Sequence, residues 1–345
     1  MRTRRLLLVT LSLCLTITVA GGRRRRAVGP GTPPVPGPCV VTGLPNFFYS
    51  TDGGAHWSGN AETPTTGGTW GFVVFQGEPE TLVTVAGHTV FDSADGGCTW
   101  TARHTITEDI HHTLHLVAGP PGRVFLWTEE FVLRYDRGVV IPIPIPEAIG
   151  GLGVDPGNGE HVRTLGLAGG VVRESFDGGM AWQLGGGSAG GHINSAAFDP
   201  SDFRHILAGV QNIGIRISQD GGKSWTSGAQ AQVVCNMSFV TTRPDMVWVA
   251  LPSGSSQAFI QRSTDGGAHL DPVAAVAGVE NHVCLEVLVN PHDVNAAIVP
   301  FGGDFHLFNA VQKSVTVTNC CGGRQDRIAY SPTNPSRLYL YSARR

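Results

Sequence analysis

The chain has 345 residues, of which 47 are Gly, 15% are charged and 41% are hydrophobic. Gly at roughly twice its ordinary share, with charge well below the usual quarter, excludes a charge-driven disordered chain and argues against long helices. Residues 1–26 hold seven of the 24 Lys and Arg and no acid, so the rest has 17 bases against 27 acids, a net of −10 behind a formal total of −3.

That acidic body does not predict nucleic-acid binding, which needs a basic stripe to displace counterions. At the N-terminus, Arg2, Arg4 and Arg5 precede the apolar run Leu6 to Ala20, which ends in the small-residue sequence Thr18-Val19-Ala20. Residues 1–20 therefore read as a signal peptide, and the protein as secreted by a bacterial export route. The run is short of the roughly 20 residues that a membrane span needs. Residues 21–38 read as an Arg run (Arg23 to Arg26) and then a Pro/Gly linker, GPGTPPVPGP, which cannot build a core. Beyond Cys14, six cysteines remain: Cys39, Cys98, Cys235, Cys284, Cys320 and Cys321. An even number in an exported chain predicts disulfides. No CxxC pair occurs, so no structural zinc site is expected, and no metal or cofactor is predicted.

From residue 39 onward the chain repeats. Ser-x-Asp-Gly-Gly-x-x-Trp occurs at Ser50 to Trp57, Ser93 to Trp100, Ser175 to Trp182 and Ser218 to Trp225; a fifth copy, Ser263 to His269, has Leu270 at the Trp position. The starts are 43, 82, 43 and 45 residues apart. The gap of 82 holds a decayed copy near Arg134-Tyr135-Asp136-Arg137-Gly138, and a further period reaches Leu307-Phe308-Asn309. About seven units of roughly 43 residues result, a period typical of propeller blades. The unit around Ser218 reads as four strands: Ile193 to Phe198, Ile206 to Val210, Gly214 to Ser218 and one beginning near Trp225.

The motif has a structural logic. Asp accepts hydrogen bonds from the following amides. The Gly pair takes positive φ without steric cost. Trp buries a large ring between sheets. Asp52, Asp95, Asp177, Asp220 and Asp265, with Trp57, Trp100, Trp182 and Trp225, are therefore read as structural. Calcium loops need more carboxylates at alternating positions.

On these five copies, residues 39–345 resemble the Asp-box (BNR) repeat family. It includes sialidases, xyloglucan-cleaving glycoside hydrolases, the sortilin ectodomain and the propeller-type photosystem II assembly factor. The resemblance implies an all-β fold, here a single seven-bladed β-propeller of four-stranded antiparallel blades. It does not choose a function, because the family spans enzymes and non-enzymes.

Arg327 to Tyr341 matches the first two strands of a blade, and Asn46 to Ser50 matches a third. One blade shared between the N- and C-terminal segments is thus expected to close the ring. Cys39 with Cys320 or Cys321 is the disulfide expected to staple that junction, and Cys235 with Cys284 is the second expected pair.

By analogy with propellers, the loops leading into each first strand ring the channel on one face, and the Asp boxes lie on the other. The leading loops carry Glu108, Asp109, His111 and His112; His192 and Asn194; Glu280, Asn281 and His282; and Arg324, Gln325, Asp326 and Arg327. The loops between second and third strands add His88, Glu129, Glu130, Asn212, Asp304 and His306. These side chains form the candidate ligand-binding face.

The sialidase resemblance implies an Arg-Ile-Pro motif, which is absent; Ile141 to Pro146 is IPIPIP. It also implies six blades and a Tyr nucleophile beside Glu. Tyr49, Tyr135, Tyr330, Tyr339 and Tyr341 all lie near Asp boxes or in the closing blade. The xyloglucan-cleaving enzymes use two propellers with the cleft between them. For any glycoside hydrolase the candidate carboxylates are Asp109, Glu280 and Asp326, although the longest leading loop, about Ala102 to Ile110, builds no cleft. Gly186-Gly187-Ser188-Ala189-Gly190 matches a nucleophile-elbow string but lacks a strand-to-helix context. Asn236-Met237-Ser238 is a glycosylation sequon in a predicted inner strand. The reading is an exported, non-catalytic binding or scaffold propeller for a protein or glycan, with a glycoside hydrolase as the alternative.

Overall fold

The structure is a computed structural model that describes residues 39, 46–54, 56–61, 69–77, 79–110, 114–252, 257–277, 284–301, 304–319 and 327–341. The expected signal peptide (1–20) and linker (21–38) lie outside the described residues. Short runs rich in Val, Ile, Phe and Thr, broken by Gly, Asp, Asn and Pro, produce 28 strands and, among the described residues, no helix.

Chain order begins mid-blade with β1 (Phe47–Ser50) and β2 (Ser58–Ala61). Blade 1 is β3 (Thr69–Phe75), β4 (Thr81–Ala86), β5 (Thr89–Ser93) and β6 (Thr101–Thr105). Blade 2 is β7 (His115–Ala118), β8 (Arg123–Trp127), β9 (Val132–Asp136) and β10 (Val139–Ile143). Blade 3 is β11 (Ile149–Asp155), β12 (Asn158–Gly166), β13 (Val171–Ser175) and β14 (Gln183–Ser188). Blade 4 is β15 (Ile193–Phe198), β16 (Ile206–Val210), β17 (Gly214–Ser218) and β18 (Thr226–Ser227), with its first three strands at the bounds the sequence predicts. Blade 5 is β19 (Asn236–Val240), β20 (Arg243–Leu251), β21 (Gln257–Ser263) and β22 (Asp271–Ala277). Blade 6 is β23 (Leu288–Val289), β24 (Ala296–Phe301), β25 (Asp304–Asn309) and β26 (Ser314–Asn319). Blade 7 starts with β27 (Arg327–Tyr330) and β28 (Leu338–Tyr341), and β1 and β2 complete it in the order β27-β28-β1-β2. The shared closing blade is therefore observed, with β1 antiparallel to β28 from Phe47↔Tyr341 to Ser50↔Leu338.

The repeated turn joins third and fourth strands. In all five copies the Ser hydroxyl accepts from the second Gly amide at 2.7–2.9 Å and donates to the Asp carboxylate at 2.7–2.9 Å. Asp Oδ1 accepts the amide four residues on, at 2.9 Å. Both glycines have positive φ, from 70° to 96°. The amides and the side chain of His56 hold the Asp52 carboxyl at about 2, and Ser224 does the same for Asp220. These carboxylates are used up in holding their turns.

One further bond recurs in every blade. The third–fourth turn donates an amide to the first–second turn: Gly96 to Glu80, Arg137 to Gly122, Gly178 to Glu160, Gly221 to Arg204, Gly266 to Asp245, Ala310 to Asn295 and Gly53 to Ser336, all at 2.8–3.0 Å. Blades 2 and 6, where the motif has decayed, keep this bond. Arg137 and Lys313 supply the positive φ that glycine supplies elsewhere.

The core is a set of seven apolar clusters, each spanning two adjacent blades. The motif Trp residues reach backward into them. Trp57 packs on Phe305 of blade 6, and Trp100 meets Phe47 of blade 7 edge-on at 5.1 Å. Trp182 donates to the Pro144 carbonyl at 2.6 Å, and Trp225 packs in the cluster of Leu165 and Val172.

Disulfide bonds join Cys235 to Cys284, as expected, and Cys39 to Cys98. The second corrects the expected pairing of Cys39 with Cys320 or Cys321, both of which lie outside the described residues. Cys98 follows the Gly pair in the blade 1 turn, so the bridge ties residue 39 to the Asp-box end of blade 1. Closure rests instead on strand pairing and on Glu80. That side chain is wholly buried between blades 1 and 7, where it accepts from Tyr339 (2.6 Å), Thr333 (3.0 Å), Arg337 (3.3 Å) and Ser331. Removing one partner of a buried ion pair costs about 3–5 kcal/mol. Glu80→Ala is expected to lower unfolding stability on that scale in denaturant titration, whereas Val139→Ala, on an exposed strand edge, leaves it within about 0.5 kcal/mol.

Candidate functional site

Strands alternate in direction within a blade, so the loop leading into the first strand and the second–third turn share one end. The first–second and third–fourth turns share the other. The channel face is therefore built from the leading loops, stitched to their neighbours by backbone bonds. The Ile149 amide donates to Glu129, that of Ile193 to Leu167 and that of Asn212 to Gln232. First strands β3, β11 and β15 each carry a register shift at their start, after Thr69, Ile149 and Ile193. Such bulges re-aim side chains and are common beside functional sites.

On this face Glu108 is half-buried, and its carboxylate accepts from the Thr107 amide at 3.1 Å. Asp109 is exposed in the same loop, which begins at 106 because Thr101–Thr105 is strand. His88, Glu129, Glu130, His192 and Asn212 are exposed around the ring. Half-buried Asn194 on β15 has its buried Oδ1 without a hydrogen-bond partner among the described residues. Asp304 and His306 sit on β25, where burial lowers the imidazole below its usual value and Asp304 opposes the shift. Arg327 begins β27. His111, His112, Glu280, Asn281, His282, Arg324, Gln325 and Asp326 lie outside the described residues. Of the three candidate carboxylates for hydrolysis, only Asp109 is therefore described.

Sequence reasoning missed one histidine at this end of the blades. His115, the first residue of β7, stacks on its cross-strand partner Trp127 at 4.4 Å and 22°. Although the residue keeps an exposed surface, crowding by the surrounding protein, ahead of the positive charge of Arg327, pushes its imidazole down to about 4. His115 belongs to blade 2 and Arg327 to blade 7, so the channel brings these two residues within electrostatic range. The available signal was strand phase, since the β7 register ends on a His facing Trp.

The nucleophile-elbow string is structural. Ser188 Oγ donates to the Gly169 carbonyl, and the Gly187 amide donates to Gly222 at 2.7 Å. A Cβ at Gly186 would meet the Gly222 carbonyl oxygen at 2.4 Å, so the glycines allow close backbone approach between blades 3 and 4. In the sequon, Asn236 Oδ1 accepts from the Val287 amide at 3.0 Å.

Solved structures match this chain in fold. The GH74 enzyme of Niastella koreensis has a TM-score of 0.60 at 15% identity, covering 86% of this chain and 53% of its own. YCF48 from Cyanidioschyzon merolae has a TM-score of 0.56 at 13% identity, covering 81% and 97%. A structure of YCF48 bound to D1 peptide has 0.56 at 15%, covering 90% and 99%. This chain thus spans about half the length of the GH74 enzyme. No family model matches the chain, and no curated protein matches it. Among the described residues, no helix is long and apolar enough to cross a membrane.

A histidine whose folded value lies below its unfolded one adds stability that is complete above about pH 6.5 and is lost as pH falls toward 4. NMR titration of the His115 ring is expected to show the neutral form down to about pH 5. Arg327→Gln is expected to raise its midpoint, and a wild-type midpoint near 6.5 would contradict the crowding described.

Proposed function

We propose that this chain is an exported, non-catalytic binding propeller of the Asp-box type, which holds a segment of a protein or glycan on its channel face. The observation that supports this reading is the set of polar groups at the leading-loop end of the blades. His115, stacked on Trp127, can donate or accept; the charge of Arg327 acts on it; Asn194 offers an unpaired carbonyl oxygen; His192 is exposed at the same end of the blades. These groups suit gripping a polar chain more than acid–base cleavage, which needs a pair of carboxylates 5–9 Å apart. The repeat's own carboxylates are engaged in turns. The structure of YCF48 bound to D1 peptide supports a protein ligand, and two disulfides support an oxidising compartment.

The fold match to a GH74 enzyme favours the second reading, a glycoside hydrolase using Asp109 with Glu280 or Asp326. One preparation decides between them when tested for release of reducing sugar or sialic acid from a polysaccharide and sialoside panel, and for retention on peptide and glycan arrays. The expected result is saturable retention without turnover, weakened at least tenfold by His115→Ala and by Arg327→Ala. Turnover abolished by Asp109→Asn overturns the proposal.

A further inference from the structure

At the Asp-box end of the ring, a pocket of about 430 Å3 opens between two consecutive Asp-Pro turns, Asp155-Pro156 of blade 3 and Asp199-Pro200 of blade 4. That size falls within the range of small-molecule sites, about 300–1,000 Å3. Its polar lining is balanced in charge, with two carboxylates (Asp155, Asp202) and two guanidinium groups (Arg163, Arg204) around His161 and Phe203. Arg163 lies over the Phe203 ring at 4.7 Å and donates to Glu174 behind the wall. Arg204 grips Asp202 at 2.9 and 2.8 Å, and both side chains remain open to water.

Blade 3 departs here from its sister blades. Between the Ser and Asp of the repeat they carry Thr51, Ala94, Gln219 and Thr264, whereas blade 3 carries Phe176. After the Gly pair they carry Ala55, Cys98, Lys223 and Ala268, whereas blade 3 carries Met180. Phe176 is 56% exposed and Met180 48%. The turn does not require either side chain, since four other copies fold without them. Phe176 is nonetheless held in place. Its ring stacks on His161 at 4.7 Å and 14°, and His161 is pinned by Glu174 at 2.7 Å and Asp155 at 3.2 Å.

A fixed aromatic face beside a charge-balanced set of donors and acceptors selects a particular chemistry. Arg204 is already paired with Asp202 and Arg163 with Glu174, so a net cation or anion gains little Coulomb attraction there. A hydroxyl both donates and accepts, so neighbouring hydroxyls can satisfy a carboxylate and a guanidinium at once. The C–H face of a pyranose is weakly positive and packs on the electron-rich face of an aromatic ring. We propose that this pocket is a saccharide-binding site, with Phe176 as the stacking platform and Asp155, Asp202 and Arg204 as the hydroxyl-binding groups. It lies at the opposite end of the blades from the channel face and does not depend on what that face binds.

The test is a glycan array of neutral and acidic oligosaccharides probed with the whole protein, followed by calorimetric titration of each retained oligosaccharide. Expected are saturable binding, at least a tenfold loss in Phe176→Ala and in Asp202→Asn, recovery in Phe176→Trp, and no change in Val311→Ala on an exposed turn of blade 6. Thermal unfolding should be alike for all variants, because Phe176 is exposed and the half-buried Asp202 side chain bonds only to neighbouring Arg204. Retention of no oligosaccharide overturns the proposal. So does binding that ignores both substitutions, or a pocket that takes a lysine- or arginine-rich peptide in preference to sugar.

Discussion

No blade of this protein can bury its own faces. Each of the seven apolar clusters takes residues from two neighbouring sheets, as Phe125 and Trp127 of blade 2 pack with Leu152 and Val154 of blade 3. A four-stranded sheet standing alone would leave both faces in water, so the hydrophobic stabilisation is a property of blade pairs. The last pair has to be made as well. Blade 7 meets blade 1 through Phe47, Phe72, Leu82, Tyr339 and Tyr341, and the blade itself exists only because β1 is hydrogen-bonded to β28. Glu80 adds a directional lock at that seam. A fully buried carboxylate is tolerated there because three hydroxyls and a guanidinium surround it.

That architecture separates the two ends of the blades. The Asp-box end holds the tight turns, whose carboxylates are engaged by their own backbone, together with the amide bond that recurs in all seven blades. Regularity at this end makes a departure informative, and blade 3 departs by exposing Phe176 and Met180, of which Phe176 stacks on His161 of the pocket between the Asp-Pro turns. The channel end is free of the repeat. There the described leading loops vary from blade to blade, and the charge of Arg327 reaches His115 across two blades.

Much of the fold was legible in the sequence because the turn chemistry is local. Ser, Asp and two glycines fix a hairpin wherever they occur, and their spacing counts the blades, so blade 4 could be placed strand by strand. The Cys235–Cys284 bridge was legible from equivalent positions in adjacent blades. The partner of Cys39 was not, because Cys98 lies in a turn that reads as purely structural. His115 was obscured by His111-His112, since its significance depends on Trp127 across the strand pair and Arg327 two blades away. The pocket was hidden for the same kind of reason. Asp155-Pro156 and Asp199-Pro200 are ordinary turns, and only the packing of blade 3 on blade 4 sets them around a cavity.

The dependence of every blade on its neighbours is tested most directly by equilibrium unfolding in denaturant, followed at once by tryptophan fluorescence and far-ultraviolet circular dichroism. The tryptophans sit at several blade interfaces, while the dichroism reports all strands. A core shared around the ring predicts a single transition with coincident midpoints by both probes, shifted as a whole by Glu80→Ala. Separate transitions, or a Glu80→Ala effect confined to one of them, would show that blades fold independently and would contradict the account.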